Sequence, residues 1–221
     1  MIAKPLKEKT YANVVPFQKG VDRLEPLDLS SGNASLSEEI YNDINRFCDY
    51  INQTLKASGA RYLVGGYGER RVIYSSSNLF DGAEPRRLHL GEDIWGPAGT
   101  PVFAVADGVV HSAAWNGTPG DYGGTVILQH HTGTLVWHTL YGHLSKASVE
   151  GKTPGLPVMA GRPVGELGTP EENGCWPPHL HFQIILDMQG NVGDYPGVCR
   201  ESEKAFYLEN CPDPEDLLPW G

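Results

Sequence analysis

Three short stretches hold the residues best suited to chemistry: His89-Leu90-Gly91-Glu92-Asp93, Tyr141-Gly142-His143-Leu144 and His179-Leu180-His181-Phe182. The first spells H-x-x-x-D, the last spells H-x-H, and a histidine stands alone between them. After thiolate, imidazole and carboxylate are the groups zinc prefers, and a catalytic zinc takes three protein ligands and keeps one position open. Five candidate groups in this order supply three ligands and leave two histidines over. The chemistry they point to is metal-dependent hydrolysis. No H-E-x-x-H run supplies a carboxylate base, so proton transfer falls to histidine, which titrates in the right range.

Spacing narrows the choice without closing it. His89 and Asp93 would share a face of a helix, but Gly91 and Gly96-Pro97 disfavour one. On a strand or extended turn an even separation also returns both side chains to one side. The same parity puts His179 and His181 on one strand face, with Leu180 and Phe182 turned into a core. Four ligands are therefore permitted.

The wider context resembles the lysostaphin-type (LytM-like) zinc endopeptidases, which cleave peptide cross-bridges of bacterial peptidoglycan. The likeness rests on the three stretches together with Gly96-Pro97-Ala98-Gly99-Thr100-Pro101-Val102, Asp107-Gly108-Val109-Val110 and Pro178 before the last of them. It covers roughly residues 87–187, with every functional position filled. The resemblance implies one zinc per chain, held by His89, Asp93 and His181, with His143 and His179 beside the zinc-bound water. Such zinc brings the pKa of its water down to about 7 and polarises the scissile carbonyl. One histidine then takes and returns the proton, and the other hydrogen-bonds the oxyanion. Which does which is not written in the sequence.

The implied partners are peptidoglycan peptides or muropeptides. Family members often reach H-x-H through a short Ser/Thr-Gly-Pro turn, whereas here Thr169 to Pro178 intervenes. That loop borders the site and bears on substrate choice, so polyglycine specificity is not carried over. Candidate groove residues are Asn173, Trp176 and Tyr141, the last because parity places it on the face of His143. Two other readings stand beside the endopeptidase. One is a cytosolic zinc hydrolase of a small peptide or amide metabolite, favoured by a looser likeness to modules fused to metabolic enzymes. The other is a non-catalytic LytM-like binding or activator module, disfavoured because such members lose ligands and none is lost here. A biotinyl- or lipoyl-type carrier would need a lysine at the Ala160-Gly161 turn, which has none.

Composition bounds the partners. A net charge of −10 makes nucleic acid and anionic membrane poor partners. No apolar run reaches the length of a membrane span. Met1 to Lys9 is basic but no apolar segment follows it, so a secretory signal is not expected. The expectation is a cytoplasmic protein, or a periplasmic or secreted one if another route or a removed signal is involved; a monomer is the default. Cys48, Cys175, Cys199 and Cys211 form no C-x-x-C pair. Cys199 and Cys211 would suit a disulfide in an oxidising compartment, and reduced thiols fit the missing signal better. Cys175 as a thiolate ligand beside His179 and His181 is the weaker reading.

The elements that must position these groups are mainly β, in an antiparallel sheet or barrel-sandwich core with an N-terminal amphipathic helix. Residues 1–80 read as an arm and helix packed on the core, 81–190 as the core, and 191–221 as a surface tail, together one compact domain. Leu36, Ile40, Ile44, Phe47, Ile51 and Leu55 recur at helical spacing, from a Ser35/Glu38 capping box to a stop at Gly59. Asp107-Gly108 and His131-Thr132-Gly133 each predict a hairpin. Residues 158–168 read as strand, turn and strand, and His179 to Leu186 as a last strand. Of the remaining histidines, His130 and His131 read as solvated loop residues, His138 as an interior group and His111 as partly exposed.

Overall fold

The computed structural model describes residues 4–7, 9–76, 78–218 and 220. Apolar and polar residues alternate along its second half, and that alternation builds strands. In chain order the strands are β1 (Leu24–Pro26), β2 (Tyr62–Gly65), β3 (Leu88–His89), β4 (Glu92–Trp95), β5 (Pro101–Phe103), β6 (Gly108–Asn116), β7 (Gly123–Thr132), β8 (Leu135–Leu144), β9 (Pro157–Val158), β10 (Pro163–Glu166), β11 (His179–Ile185) and β12 (Val198–Cys199). The helices are α1 (Lys4–Lys7), α2 (Glu38–Tyr41), α3 (Ile44–Ser58) and α4 (Lys204–Asn210). Eight strands form one sheet in the order β1-β2-β4-β11-β8-β7-β6-β9, and every pairing in it is antiparallel except β1 with β2. Mainly β and antiparallel is the class the sequence predicts.

The two faces of this sheet bury different things. Ile94, Val126, Leu128, Tyr141, Leu180, Phe182 and Ile184 pack on one face against Val102, Val105, Val164 and Leu167. Trp95 on the other face packs with Phe47 and Ile51 of α3 and with Leu63 and Trp176. Ile127, Leu140 and Ile185 meet Leu88, Leu90, Tyr195, Cys199 and Cys211. Burying Phe47 and Ile51 contributes roughly 1.5–3 kcal/mol each. Cys199 and Cys211 are buried free thiols.

Three local expectations are corrected. The predicted helix from Ser35 is two helices, because the Asp43 carboxylate caps a new start by accepting from Asn45 N and Arg46 N. Ser35 instead bonds Asn33, and the N-cap Ser37 makes no side-chain cap bond, so the capping box does not form. Gly59 does stop α3, in the left-handed conformation at φ 65°. At Asp107-Gly108 there is no hairpin: the Asp107 carboxylate accepts from Ala160 N, β5 pairs with β10, and β6 lies between β7 and β9. The β7–β8 hairpin is as predicted, with Gly133 at φ 60° in its turn. β11 is not the last strand, since β12 follows and pairs with β3.

Candidate active site

Register assembles the centre. β11 lies against β4 with His181 opposite Asp93 and His179 opposite Trp95, and against β8 with His181 opposite Gly142. Alternation then sends Asp93, His179 and His181 to one face, while Ile94, Leu180 and Phe182 enter the core behind it. His89 arrives from the neighbouring β3 after a bend at Gly91. A Cβ on Gly91 would lie 2.7 Å from the His181 ring, so only glycine lets the motif close over that histidine.

His89 Nε2, Asp93 Oδ1 and His181 Nδ1 converge. The first and last are 2.9 Å apart, and the carboxylate oxygen is 3.3 Å from His89 Nε2 and 3.0 Å from His181 Nδ1. Three donors around a tetrahedral zinc stand roughly 3.3 Å from one another, given Zn–N distances of about 2.0–2.1 Å. The donor set therefore fits a zinc ion, and these three residues are the candidate metal-binding group.

The outward nitrogens fix which atoms face inward. His89 Nδ1–H donates to the Gly66 carbonyl at 3.0 Å. Gln183 donates its own amide to Pro196 O, which leaves its Oε1 to accept from His181 Nε2–H at 2.8 Å. Both rings thus present a bare nitrogen, and two bare nitrogens 2.9 Å apart repel unless a cation lies between them. Arg71, which lies in no motif, completes the arrangement. Its Nη1 is 2.5 Å from Asp93 Oδ2, its Nε 2.8 Å from Glu69 Oε2, and its Nη2 reaches Gly65 O. Arg71 holds one oxygen of Asp93 and leaves Oδ1 facing His89 and His181. Burial opposes ionisation of Asp93, yet His89 and Arg71 beside it hold its carboxyl well below the usual carboxylate range. Burial, and then the Arg71 charge, push His89 down to about 3, so it is neutral.

His143 and His179 stand next to this cluster with ring centres 4.1 Å apart. Both are pinned through Nδ1–H to a carbonyl, His143 to Asn173 O at 2.9 Å and His179 to Pro177 O at 2.7 Å. Each keeps a bare Nε2, and that of His179 is 3.6 Å from Asp93 Oδ2. Burial lowers the pKa of both, most for His143, where the neighbouring His179 adds to it.

His143 reaches the site by breaking strand parity. Its φ is +61°, unusual for a residue with a Cβ, and the conformation is held by His143 N to Tyr122 O and Gly168 N to His143 O. This corrects the expectation for Tyr141. It stays in the core, fully buried against Phe182, with its hydroxyl accepting from Val105 N, and lines no groove. Asn173 is buried, and its carbonyl orients His143. Trp176 lines a cleft of about 150 Å³ beside the cluster, together with His143, His179, His181, Tyr74 and Phe80. Cys175 is exposed and outside the metal-binding group. His130, expected in a solvated loop, is instead buried, stacked on Trp137.

The description Peptidase family M23 matches residues 87–192. The chain is 40% identical over 105 residues to the DD-carboxypeptidase/endopeptidase Mpg of Neisseria meningitidis, a match covering 47% of this chain and 21% of that protein. It is 32% identical over 149 residues to the peptidoglycan DD-endopeptidase ShyC of Vibrio cholerae, covering 63% of this chain and 30% of that one. The catalytic domain of lysostaphin from Staphylococcus simulans is 25% identical, with a TM-score of 0.43, over 72% of this chain and 96% of that domain. The chain spans less than a third of the length of the two curated relatives. Residues 87–192, just under half of the chain, are identified by this match as a domain of peptidase family M23.

Proposed function

We propose that the protein is a zinc-dependent endopeptidase that hydrolyses peptide bonds of peptidoglycan cross-links or muropeptides, with one zinc per chain held by His89, Asp93 and His181. The observation that carries the reading is the pair of bare Nε2 atoms on His143 and His179, each oriented by a carbonyl on its far side. When bound, zinc supplies Lewis-acid polarisation of the scissile carbonyl. The chain's own residues do the rest. A neutral imidazole with its Nδ1–H already used is a proton acceptor at Nε2, suited to take the proton of the attacking water and pass it to the leaving amine. Once a ring has taken that proton at Nε2 it becomes a donor to the developing oxyanion. The lowered pKa of both rings keeps them in the accepting form at neutral pH. Arg71 and Gln183 each bond one of the proposed ligands, and their work is to hold Asp93 and His181 in place. The relatives named for peptidoglycan DD-endopeptidase activity support the substrate class.

Digestion of purified muropeptides followed by mass spectrometry tests the proposal. A cross-linked dimer is converted to monomers by the protein, and the conversion stops on treatment with a zinc chelator. Intact dimers after prolonged incubation with zinc-supplemented protein would contradict it. The acidic chain charge of −10 favours soluble muropeptides over intact sacculi, so the fragments are cut faster. Equal rates on sacculi would refute that preference.

A further inference from the structure

Both carbonyls that orient the proton-handling histidines come from one loop. His143 Nδ1–H donates to Asn173 O and His179 Nδ1–H to Pro177 O, so residues 169–178, which lead into β11, supply the outward partner of each ring. A carbonyl directs an imidazole only if the loop that carries it is itself fixed. Close backbone contact seats this one: a Cβ on Gly174 would lie 1.9 Å from Asp121 O, and one on Gly123 would lie 2.1 Å from Glu172 O. The Glu172 carboxylate closes the base of the loop, accepting from Lys146 N at 3.2 Å and from Thr169 N at 3.3 Å.

Inside the loop one side chain joins the two carbonyls. Asn173 is fully buried, and its amide bridges in two directions. Oδ1 accepts from Trp176 N at 3.0 Å, and Nδ2 donates to Gly168 O at 3.4 Å. Trp176 N can only donate and Gly168 O can only accept, which fixes the orientation of the amide. Each bond reaches one histidine. Gly168 N donates to His143 O at 3.0 Å, part of what holds His143 at its φ of +61°. On the other side, Trp176-Pro177-Pro178 carries the anchor at Trp176 N to Pro177 O through backbone with little freedom. The Pro177 ring locks its own φ, and a residue before a proline is confined to extended backbone, which applies to Trp176 and to Pro177. The bond at Trp176 N therefore sets the direction of the carbonyl that His179 meets.

We propose that the Asn173 side chain is a positioning residue for both proton-handling histidines: it ties Asn173 O and Pro177 O into one rigid unit, so that His143 and His179 hold the Nδ1–H tautomer together and each keeps Nε2 bare. The proposal rests on the endopeptidase reading for what those histidines do. Asn173 lies outside the cleft lining and outside the candidate metal-binding group, and acts only through the two carbonyls.

The test is proton–nitrogen correlation spectroscopy of the histidine rings in the zinc-loaded full chain, beside kcat, KM and zinc content for Asn173→Ala and Asn173→Ser. In the unmodified protein both rings carry the proton on Nδ1. Asn173→Ala lets both exchange between tautomers and lowers kcat by about 10–100-fold, the size of outer-shell losses, with KM within about twofold and zinc near one per chain. Asn173→Ser keeps an acceptor for Trp176 N and loses the donor to Gly168 O. His179 then stays fixed while His143 exchanges, and kcat falls less than in the alanine variant. General loosening of the loop would not split the rings in this way, and the split is readable even where Asn173→Ala fails to fold. An Nε2–H tautomer at either ring of the unmodified protein overturns the proposal. So do rings that respond alike in Asn173→Ser, an unchanged kcat in Asn173→Ala, or a loss that falls on KM or on zinc content instead. The spectra need no substrate, which separates the two proposals. Tautomers that follow the variants in a protein that cuts no muropeptide overturn only the endopeptidase reading, and cleavage with rings indifferent to Asn173 overturns only the positioning.

Discussion

The sheet buries histidines in two places, and they are wired differently. Remote from the metal-binding group, His130 has both nitrogens satisfied: Nδ1 with the Asp107 carbonyl at 2.9 Å, and Nε2 with the Thr139 hydroxyl at 2.7 Å. Around the cluster, His89, His143 and His179 each have Nδ1 on a carbonyl, and Nε2 faces other histidines or Asp93. Both places depress the pKa through burial, to about 4 for His130 and about 3 for His89. Burial alone therefore does not mark the site. His130, with two satisfied nitrogens, is a structural group, whereas the rings around the cluster are each held by one nitrogen and have the other available for chemistry. His138, buried outside the cluster with an unpartnered Nδ1, shows that it is the convergence on Asp93 that marks the site.

The largest expected effect that would break this comparison is catalytic. His143→Ala or His179→Ala lowers the hydrolysis rate by about 10²–10⁴-fold, whereas His130→Ala leaves the rate per folded molecule unchanged. A steady-state assay on folded protein decides it; a comparable loss in the His130 variant would erase the distinction. Next comes the support of the ligands. Gln183→Leu frees His181 Nε2–H, and outer-shell losses of this kind cost about 10–100-fold in metal affinity. Competition with a chromophoric zinc chelator reads that directly, and an unchanged affinity would remove Gln183 from the account.

The smallest effect is on stability against pH, and it sharpens the remote region. His130 has a folded pKa near 4 against an ordinary 6.5, so the unfolded state binds more protons between those values. Its contribution is present in full above pH 6.5 and is lost as pH falls through 4. The loss amounts to about 3 kcal/mol at most. His130→Gln flattens that slope in urea melts between pH 6.5 and 4. An acid slope identical to the unmodified protein would place the titration elsewhere.

What the sequence made legible follows from period and motif. Parity placed His179 and His181 on one face and Leu180 and Phe182 in the core, and the β7–β8 hairpin followed from its turn residues. Extending the same parity by one step would have found Gln183. Parity failed at His143 because a positive φ turns that side chain across the strand, and Tyr141 was misplaced with it. Arg71 was invisible because it meets Asp93 from 22 residues away in a segment without periodic signal. The Asp107-Gly108 dipeptide looked like a hairpin, but a side-chain bond to Ala160 N redirects the chain, and no local pattern encodes a partner so distant.

The division of labour among the histidines is tested most directly by zinc content measured beside rate in His179→Ala and His181→Ala. In the His179 variant zinc stays close to one per chain while the rate falls by about 10²–10⁴-fold. In the His181 variant zinc and activity are lost together. Zinc lost from His179→Ala and kept by His181→Ala would contradict it.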